Sequence, residues 1–440
     1  MSGTDVARDR LILRKPELLA PAGTMAKLKT AFLYGADAAY LGGERFGLRA
    51  QADNFSLGEM REAVCLAEKL NKKIYVTVNI VSRNQDLDFV VPYVRQLAEV
   101  GVHGVIVSDI GTFFMIRESV PEMPVHVSTQ ANNLNWRTVK FWLDHGAARV
   151  NLARELSFDE IGEIHAKLTQ TMGDSYTKRE MPVLEAFVHG AMCMSFSGRC
   201  MLSDYMAGRS SNRGDCAQPC RWNYHLVEEQ RPGEYMPVFE DERGTFIFNS
   251  KDLCMIEYLP EFLRCGVGSL KIEGRMKSEF YTAVTVRAYR IAIDACMKDP
   301  AAYTENSELK KQLISELCAV SHRDYSTGFY LGGRGEQIYK SSSYVRDTDF
   351  IGVAERCEML PGNGESAFAA EIRLRGAFQE GDILEFVIPG CDEIKIACVS
   401  RMENEAGEPI VRAANAMMAV RVPLPFAVPE GSIVRRRKNV

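Results

Sequence analysis

"SLGEMREAVCLAEKLNKKIYVTVN", Ser56–Asn79, carries two different periods back to back. Over its first sixteen residues the apolar positions recur with the spacing of one helix face. From Lys73 the run KIYVTVN is short, apolar and rich in β-branched and aromatic residues, as a buried strand is. Similar strand-like runs occur throughout the first part of the chain. They are PELLAPAG from Pro16, AAYLGG from Ala38, GVIVSD from Gly104, PVHVSTQ from Pro124, RVNLARE from Arg149, VLEAFVHG from Val183 and SLKIEGR from Ser269. With KIYVTVN the count is eight, and helical patterns such as DFVVPYVRQLAEVG separate most of them. Gly35, Gly101, Gly146 and Gly266 follow helical stretches, where a helix-ending glycine belongs. Strand and helix alternating in this way predict an α/β fold, a TIM-type (β/α)8 barrel. An open doubly wound sheet is the rival architecture. The count of eight, and a first strand with no glycine-rich phosphate fingerprint after it, favour the barrel.

One connection breaks the pattern. Roughly eighty residues separate the seventh run, ending near His189, from the eighth, starting near Ser269. A strand-to-helix connection needs only a few loop residues, and long loops in compact domains are usually functional. The excess carries a cluster of cysteines and a hairpin-like stretch, NYHLVEE followed by MPVFEDERGTFIFNSKDL. In a barrel this insertion emerges at the C-terminal rim, where active sites lie. After the eighth run come helical patterns, and from about Tyr344 short alternating runs broken by Gly, Pro, Asn and Asp. The expected organisation is a barrel over 11–300 with a cysteine loop at about 190–225 and the hairpin insertion. A helical connection over 301–343 and a small antiparallel β-barrel over 344–440 complete it.

Composition is that of an ordinary globular protein, 46% hydrophobic and 25% charged over 440 residues. A net charge of −5 gives no overall basic field, so any nucleic-acid contact needs a local patch. No apolar run has the length of a membrane span, and the N-terminus lacks the pattern of a secretory signal. A cytoplasmic location is expected. Twelve cysteines in a reducing compartment do not make a disulfide framework. Cys65, Cys296, Cys318 and Cys398 lie on helix-like or strand-like apolar faces and read as core filler. Cys193, Cys200, Cys216 and Cys220 differ, because they share one glycine-rich, arginine-bearing loop. Their spacing, C-x6-C-x15-C-x3-C, lacks the tight C-x2-C pairs usual in structural zinc sites. Soft thiolates suit an iron–sulfur cluster or zinc, and the small residues around the first pair leave room for a cluster's sulfides. Cys254 and Cys265, in helix-like settings, are reserves.

EAFVHGAMCMSFSGRCMLS, Glu185–Ser203, resembles the signature of the U32 family, long labelled collagenase-type peptidases. LLAPAG, GADAAYLGG, STQANNLN, RGDCAQPCR and SLKIEGRMKS look like further landmarks of that family, so the resemblance runs from about Pro16 to the C-terminus. It implies a barrel whose Cys193, Cys200, Cys216 and Cys220 bind a 4Fe–4S cluster. It also implies oxygen-independent hydroxylation, with the length and single C-terminal β-domain most similar to the branch acting on tRNA wobble uridine. In that branch the product is 5-hydroxyuridine and prephenate is required. tRNA, a prephenate-like carboxylate, and an electron donor or cluster-assembly proteins are the partners expected.

Proteolysis has little support in the residues. There is no H-E-x-x-H helix and no G-x-S-x-G elbow. A collagenase-type peptidase stays open as the alternative, as does a non-enzymatic iron–sulfur partner of another hydroxylase. In a barrel, residues at strand C-termini line the pocket: Asn79, Asp109, Gln130, Glu155, His189, Glu273 and Arg275. Asn79, Gln130 and Asp109 have the groups to read a base's polar edge, and His189 or Glu273 to serve in acid–base work. Arg275 and Lys271 suit a carboxylate or phosphate, although Lys271 could equally point out of the barrel. Asp109 reads more naturally as a helix cap. For RNA, Arg199, Arg209, Arg213 and Arg221 line the cysteine loop, Tyr205 and Trp222 offer stacking faces, and Arg435, Arg436, Arg437 and Lys438 form a basic end. Solvated charges, with Trp222 in the core, are the competing reading.

Overall fold

The computed structural model describes residues 14–47, 54–192, 200–222, 226–227, 235–236, 251–332, 347–360 and 368–438. Eight parallel strands form its first unit: β1 (Glu17–Pro21), β2 (Ala38–Gly42), β3 (Lys73–Val78), β4 (Gly104–Val107), β5 (Val125–Val127), β6 (Arg149–Asn151), β7 (Leu184–Ala191) and β8 (Val267–Ile272). Each pairs with the next, and β8 pairs with β1, so the sheet closes into a barrel. Helices cover its outside. The stretch that opened the sequence reading supplies one of them, Leu57–Lys69, begun by Ser56 and Glu59 exchanging hydrogen bonds with each other's backbone N–H. Val64, Ala67, Ile74, Val76 and Val150 belong to the large apolar core between strands and helices.

The barrel interior is far more polar. Arg149, fully buried, donates to Glu17 at 2.6 Å, to Glu185 at 3.1 Å and to Ser269 at 3.2 Å. Lys271 points inward and donates to Glu185 at 2.8 Å, with Nζ over the rings of Tyr40 and Phe187. Two cations and two carboxylates therefore neutralise one another in a space most barrels fill with Val, Ile and Leu. Burial by itself would raise the Glu17 carboxyl, but the Arg149 charge and hydrogen bond outweigh it and hold it below the usual range.

Past β7 the connection to β8 contains a short helix, Leu202–Ala207, and a two-stranded hairpin, Leu226–Val227 with Tyr235–Met236. A strand, Asp252–Cys254, then pairs antiparallel with the end of β7 and parallel with Tyr325–Ser326. After β8 comes the long helix Glu279–Lys298, followed by helices Pro300–Glu305 and Ser307–Cys318. From Thr348 the chain forms an eight-stranded antiparallel sheet curled around Ile351, Phe378, Phe386, Val420 and Val434. Two cysteines expected in the core are exposed instead, Cys65 and Cys398, while Cys296 is buried. The apolar stripe at 60, 63, 64 and 67 turns inward and leaves Cys65 on the solvent side. Cys254 is in a strand rather than a helical setting.

Candidate active site at the barrel mouth

Side chains alternate along a strand, so residues two apart from Arg149, Tyr75 and Lys271 share the barrel interior. That places Asn151, Thr77 and Asn79 on the inner face, at the C-terminal ends of β6 and β3. Asn79 Nδ2 donates to Gln130 Oε1 at 2.8 Å, and Ser128 Oγ donates to the same oxygen at 3.2 Å. Gln130 sits in the 3-10 turn Thr129–Ala131 that follows β5 directly, which carries its amide over the opening. Arg275, just past β8, is buried and donates from Nη1 to Thr77 Oγ1 at 2.9 Å. It lies against Gly42, where an added methyl group would overlap Nη1, so β2 ends in glycine to admit the guanidinium. Asn79, Gln130 and Arg275 thus come together at one mouth. Lys271 lies deeper, its ammonium disfavoured by burial and supported by Glu185.

Two further expected residues do other work. Asp109 caps the helix Ile110–Ser119 by accepting from Thr112 N at 2.8 Å. His189 does not face the mouth. Phe187 pairs with Lys271 and His189 with Ile272, so two residues of β7 meet one step of β8, a bulge at Val188. The bulge breaks the alternation begun by Glu185 and Phe187 and turns the imidazole outward. There it packs against Tyr281 and Tyr289 of the outer helix Glu279–Lys298 and against Tyr325. Burial drives its pKa down to about 3, with His322 adding to the effect, so the ring is neutral. The ring expected at the mouth for acid–base work therefore lies packed behind it. Glu273 is half-buried, its N–H donated to His189 O at 2.9 Å and its carbonyl accepting from the Tyr281 hydroxyl at 2.7 Å.

Sequence reasoning missed Asn151 and Arg154. Arg154 is buried, stands 3.8 Å over the Phe187 ring and donates to Ala191 O at 2.7 Å. RVNLARE contained both, and counting by twos from Arg149 would have picked out Asn151 as inward-facing.

Of the four loop cysteines, Cys193 lies outside the described residues. Cys200, Cys216 and Cys220 are half-buried thiols outside any disulfide. Ser211 Oγ donates to Cys200 O at 2.7 Å, and Ala217 N donates to Ser203 Oγ at 2.9 Å, so the segments carrying these thiols are tied together. Arg213 clamps the loop to the barrel with two hydrogen bonds to Asp86, at 2.8 and 3.1 Å. Among the described residues no three His, Cys, Asp or Glu side chains converge as a metal centre requires. By its chemistry the thiol set fits a soft, multi-thiolate group. Cys254 is a poor reserve, because burial pushes its thiol up to about 12. Cys265 donates to Phe158 O at 3.3 Å.

The arginines expected at RNA are mostly engaged. Arg209 binds Asp215 through Nε at 2.9 Å and Nη2 at 2.6 Å. Arg435 is fully buried between Glu316 and Glu385, Arg436 bridges Asp349 and Asp382, and Arg437 also reaches Glu385. The basic end is thus largely neutralised from within. Arg199 and the side chain of Arg221 lie outside the described residues. Tyr205, at 86% exposure, and Trp222, at 43%, stand open on the loop, so Trp222 is not a core residue. No helix among the described residues is long and apolar enough to cross a membrane.

The chain matches the family model described as peptidase family U32 over residues 23–340, and that of the family's C-terminal domain over 346–435. It is 37% identical to tRNA hydroxylation protein P1 of Bacillus subtilis, over 99% of this chain and 98% of that protein. It is also 37% identical to tRNA hydroxylation protein P of Escherichia coli, over 93% and 94%. A 23S rRNA 5-hydroxycytidine C2501 synthase of Escherichia coli is 35% identical over 73% of this chain and 46% of its own length.

Proposed function

Because the chain belongs to peptidase family U32 and aligns end to end with relatives named for tRNA hydroxylation, we propose that it is a tRNA-hydroxylating enzyme. The reaction is the prephenate-dependent, oxygen-independent conversion of wobble uridine to 5-hydroxyuridine. The observation that carries this reading is the near-complete coverage of both chains, barrel and C-terminal domain together. The barrel mouth supports it chemically. Asn79 and Gln130 present amides suited to a base's polar edge, and Arg275 offers a guanidinium for the carboxylates of prephenate or for phosphate. Tyr205 and Trp222 give exposed faces on which single-stranded bases stack.

Cys193, Cys200, Cys216 and Cys220 are the residues that would hold a 4Fe–4S cluster, which supplies one-electron chemistry when bound. The chain's own part is to hold the base, position the acid partner and keep water from the reacting edge. Beyond the family's name, the described residues offer peptidase chemistry little support. Among the described histidines none is hydrogen-bonded to a serine hydroxyl or a cysteine thiol, the pairing a nucleophile of that class requires.

The test is nucleoside mass spectrometry of undermodified tRNA incubated with anaerobically purified protein and prephenate. Appearance of 5-hydroxyuridine at the wobble position is expected. An unchanged tRNA together with cleavage of a collagen-type peptide would replace this reading with the peptidase. Iron and sulfide analysis of the same material tests the cluster, with loss of both expected in Cys216→Ala.

A further inference from the structure

We infer that Asn151 is a specificity-determining residue whose carboxamide contacts the lactam edge of a pyrimidine, where a ring N–H stands beside a carbonyl; this rests on the tRNA-hydroxylation reading. Asn151 is 2% exposed, yet neither its Nδ2 nor its Oδ1 has a partner among the described residues. Buried side-chain polar atoms are satisfied in the great majority of cases, and leaving a pair unsatisfied is costly. Two on one carboxamide mark a place that something else completes.

The backbone that carries that carboxamide is fixed. Asn133, fully buried, donates to Asn151 O at 2.7 Å and to Ser128 O at 3.0 Å, tying the ends of β6 and β5 side by side. Asn133 is in turn held by Trp142 Nε1 at 3.0 Å. Inside the barrel Asn151 stands one step above Arg149 and is paired in register with Glu185 of β7. Two more buried orphans flank the same opening, Asn79 Oδ1 and Arg154 Nε. Arg154 lies over Phe187, and the pair gives the neighbouring strand β7 a flat face. An acceptor, a second acceptor–donor pair and a further donor, bordered by an aromatic face, match a planar heterocycle with several polar edges rather than an aliphatic acid.

A carboxamide offers one donor and one acceptor side by side. Uracil's N3–H and C4 carbonyl are their complement, and engaging that edge leaves C5 and C6 uncovered. An aspartate at 151 keeps the shape and loses the donor. It meets uracil with one matched contact at N3–H and one opposed at the C4 carbonyl, and cytosine with one matched at the amino group and one opposed at N3, so the two bases become near equal.

The experiment compares the intact protein with Asn151→Asp and Asn151→Ser. Anticodon stem–loops carrying uridine or cytidine at the target position are assayed by nucleoside mass spectrometry. Uridine and cytidine monophosphate binding is measured by calorimetry, and thermal melting is recorded for each variant. The expected result is a uridine-over-cytidine preference reduced at least tenfold in Asn151→Asp, with stem–loop affinity and melting near the parent's. Asn151→Ser should lose the preference in binding even if Asn151→Asp melts early. An unchanged preference in both variants overturns the inference and leaves Asn151 as a barrel residue satisfied by water. Wild-type protein that hydroxylates neither stem–loop sinks the tRNA reading instead, while nucleotide binding still decides the role of Asn151.

Discussion

His189 shows how one residue's role follows from one bulge. Period-two counting along VLEAFVHG puts Glu185, Phe187 and His189 on the inner face, and the first two are there. The third is not, because a bulge is a property of pairing with β8 and leaves no mark on β7's own sequence. Its consequence is measurable. The folded pKa, about 3, lies below the unfolded value of 6.5, so the unfolded chain takes up its proton first as pH falls. Stability is lost through that window at up to about 1.4 kcal/mol per pH unit for this one group. His189→Phe should keep hydroxylating activity within a few-fold and flatten the fall of melting temperature between pH 6.5 and 4. His126 and His322, also held neutral by burial, retain part of the slope. Melting curves that shift in parallel with wild type would refute the assignment. Arg275 makes the opposite case. SLKIEGR already placed it at the mouth, since a residue just past the last barrel strand has nowhere else to go. Its dependence on Gly42 was not legible, because the two meet across a barrel closure of more than two hundred residues. Gly42→Ala should push the guanidinium off Thr77 and cut kcat/KM at least tenfold with little change in melting temperature. Steady-state kinetics with prephenate, the proposed acid partner, varied are the check, and an unaffected enzyme would remove Arg275 from the substrate's path.

At the level of elements, the strands of the barrel were legible because each is a short apolar run bounded by a helical pattern. Their ends were less so. PVHVSTQ yields only the three-residue strand Val125–Val127, because Ser128 Oγ accepts Gln130 N and starts a 3-10 turn. That truncation lifts Gln130 to the site. The cysteine loop was legible as an excess of length, but not its anchorage. Arg213, expected at RNA, spends its guanidinium on Asp86 at the start of helix Asn84–Val100, and Val81 N donates to Asn212 O beside it at 3.1 Å. The Arg213 hydrogen bond holds the Asp86 carboxyl below its usual range, so the clamp persists at neutral pH and weakens in acid. A part-exposed pair of this kind is worth about 1 kcal/mol or less to global stability. Its effect should fall on the loop. Arg213→Ala is expected to leave the melting temperature within a few degrees and to speed iron loss from protein reconstituted with the proposed cluster, read as decay of visible absorbance under a chelator. Equal decay in both proteins would show that the clamp does not steady the thiols.

Across the whole molecule, the barrel and the C-terminal sheet are joined by polar groups that sequence patterns cannot pair. Tyr34, at the end of the first helix, donates to Val387 O at 2.6 Å and accepts from Ile433 N at 3.0 Å. Arg287 on the long outer helix donates to Cys391 O at 3.1 Å and Asp392 O at 2.6 Å. Arg435 joins Glu316 of helix Ser307–Cys318 to Glu385 of the sheet, at 2.9 and 2.7 Å. The terminal RRRK run, which reads as a phosphate-binding tail, is in this way turned back into the protein as a bolt between domains. These bonds are made between positions up to about four hundred residues apart, so no local window contains both partners. They fasten the C-terminal sheet to the barrel, and the proposed tRNA substrate needs such rigidity if one domain is to grip the stem while the other receives a base. Tyr34→Phe tests that rigidity with the loss of a single oxygen. It strands Val387 O and Ile433 N in a buried seam, a cost of about 1–3 kcal/mol. Because that cost falls on the seam, limited proteolysis should release the C-terminal sheet from the variant under conditions where the parent stays whole. Affinity for intact tRNA should drop several-fold while binding of uridine monophosphate at the barrel mouth is preserved. If both ligands weaken together, or neither does, the two domains do not share the work of holding RNA.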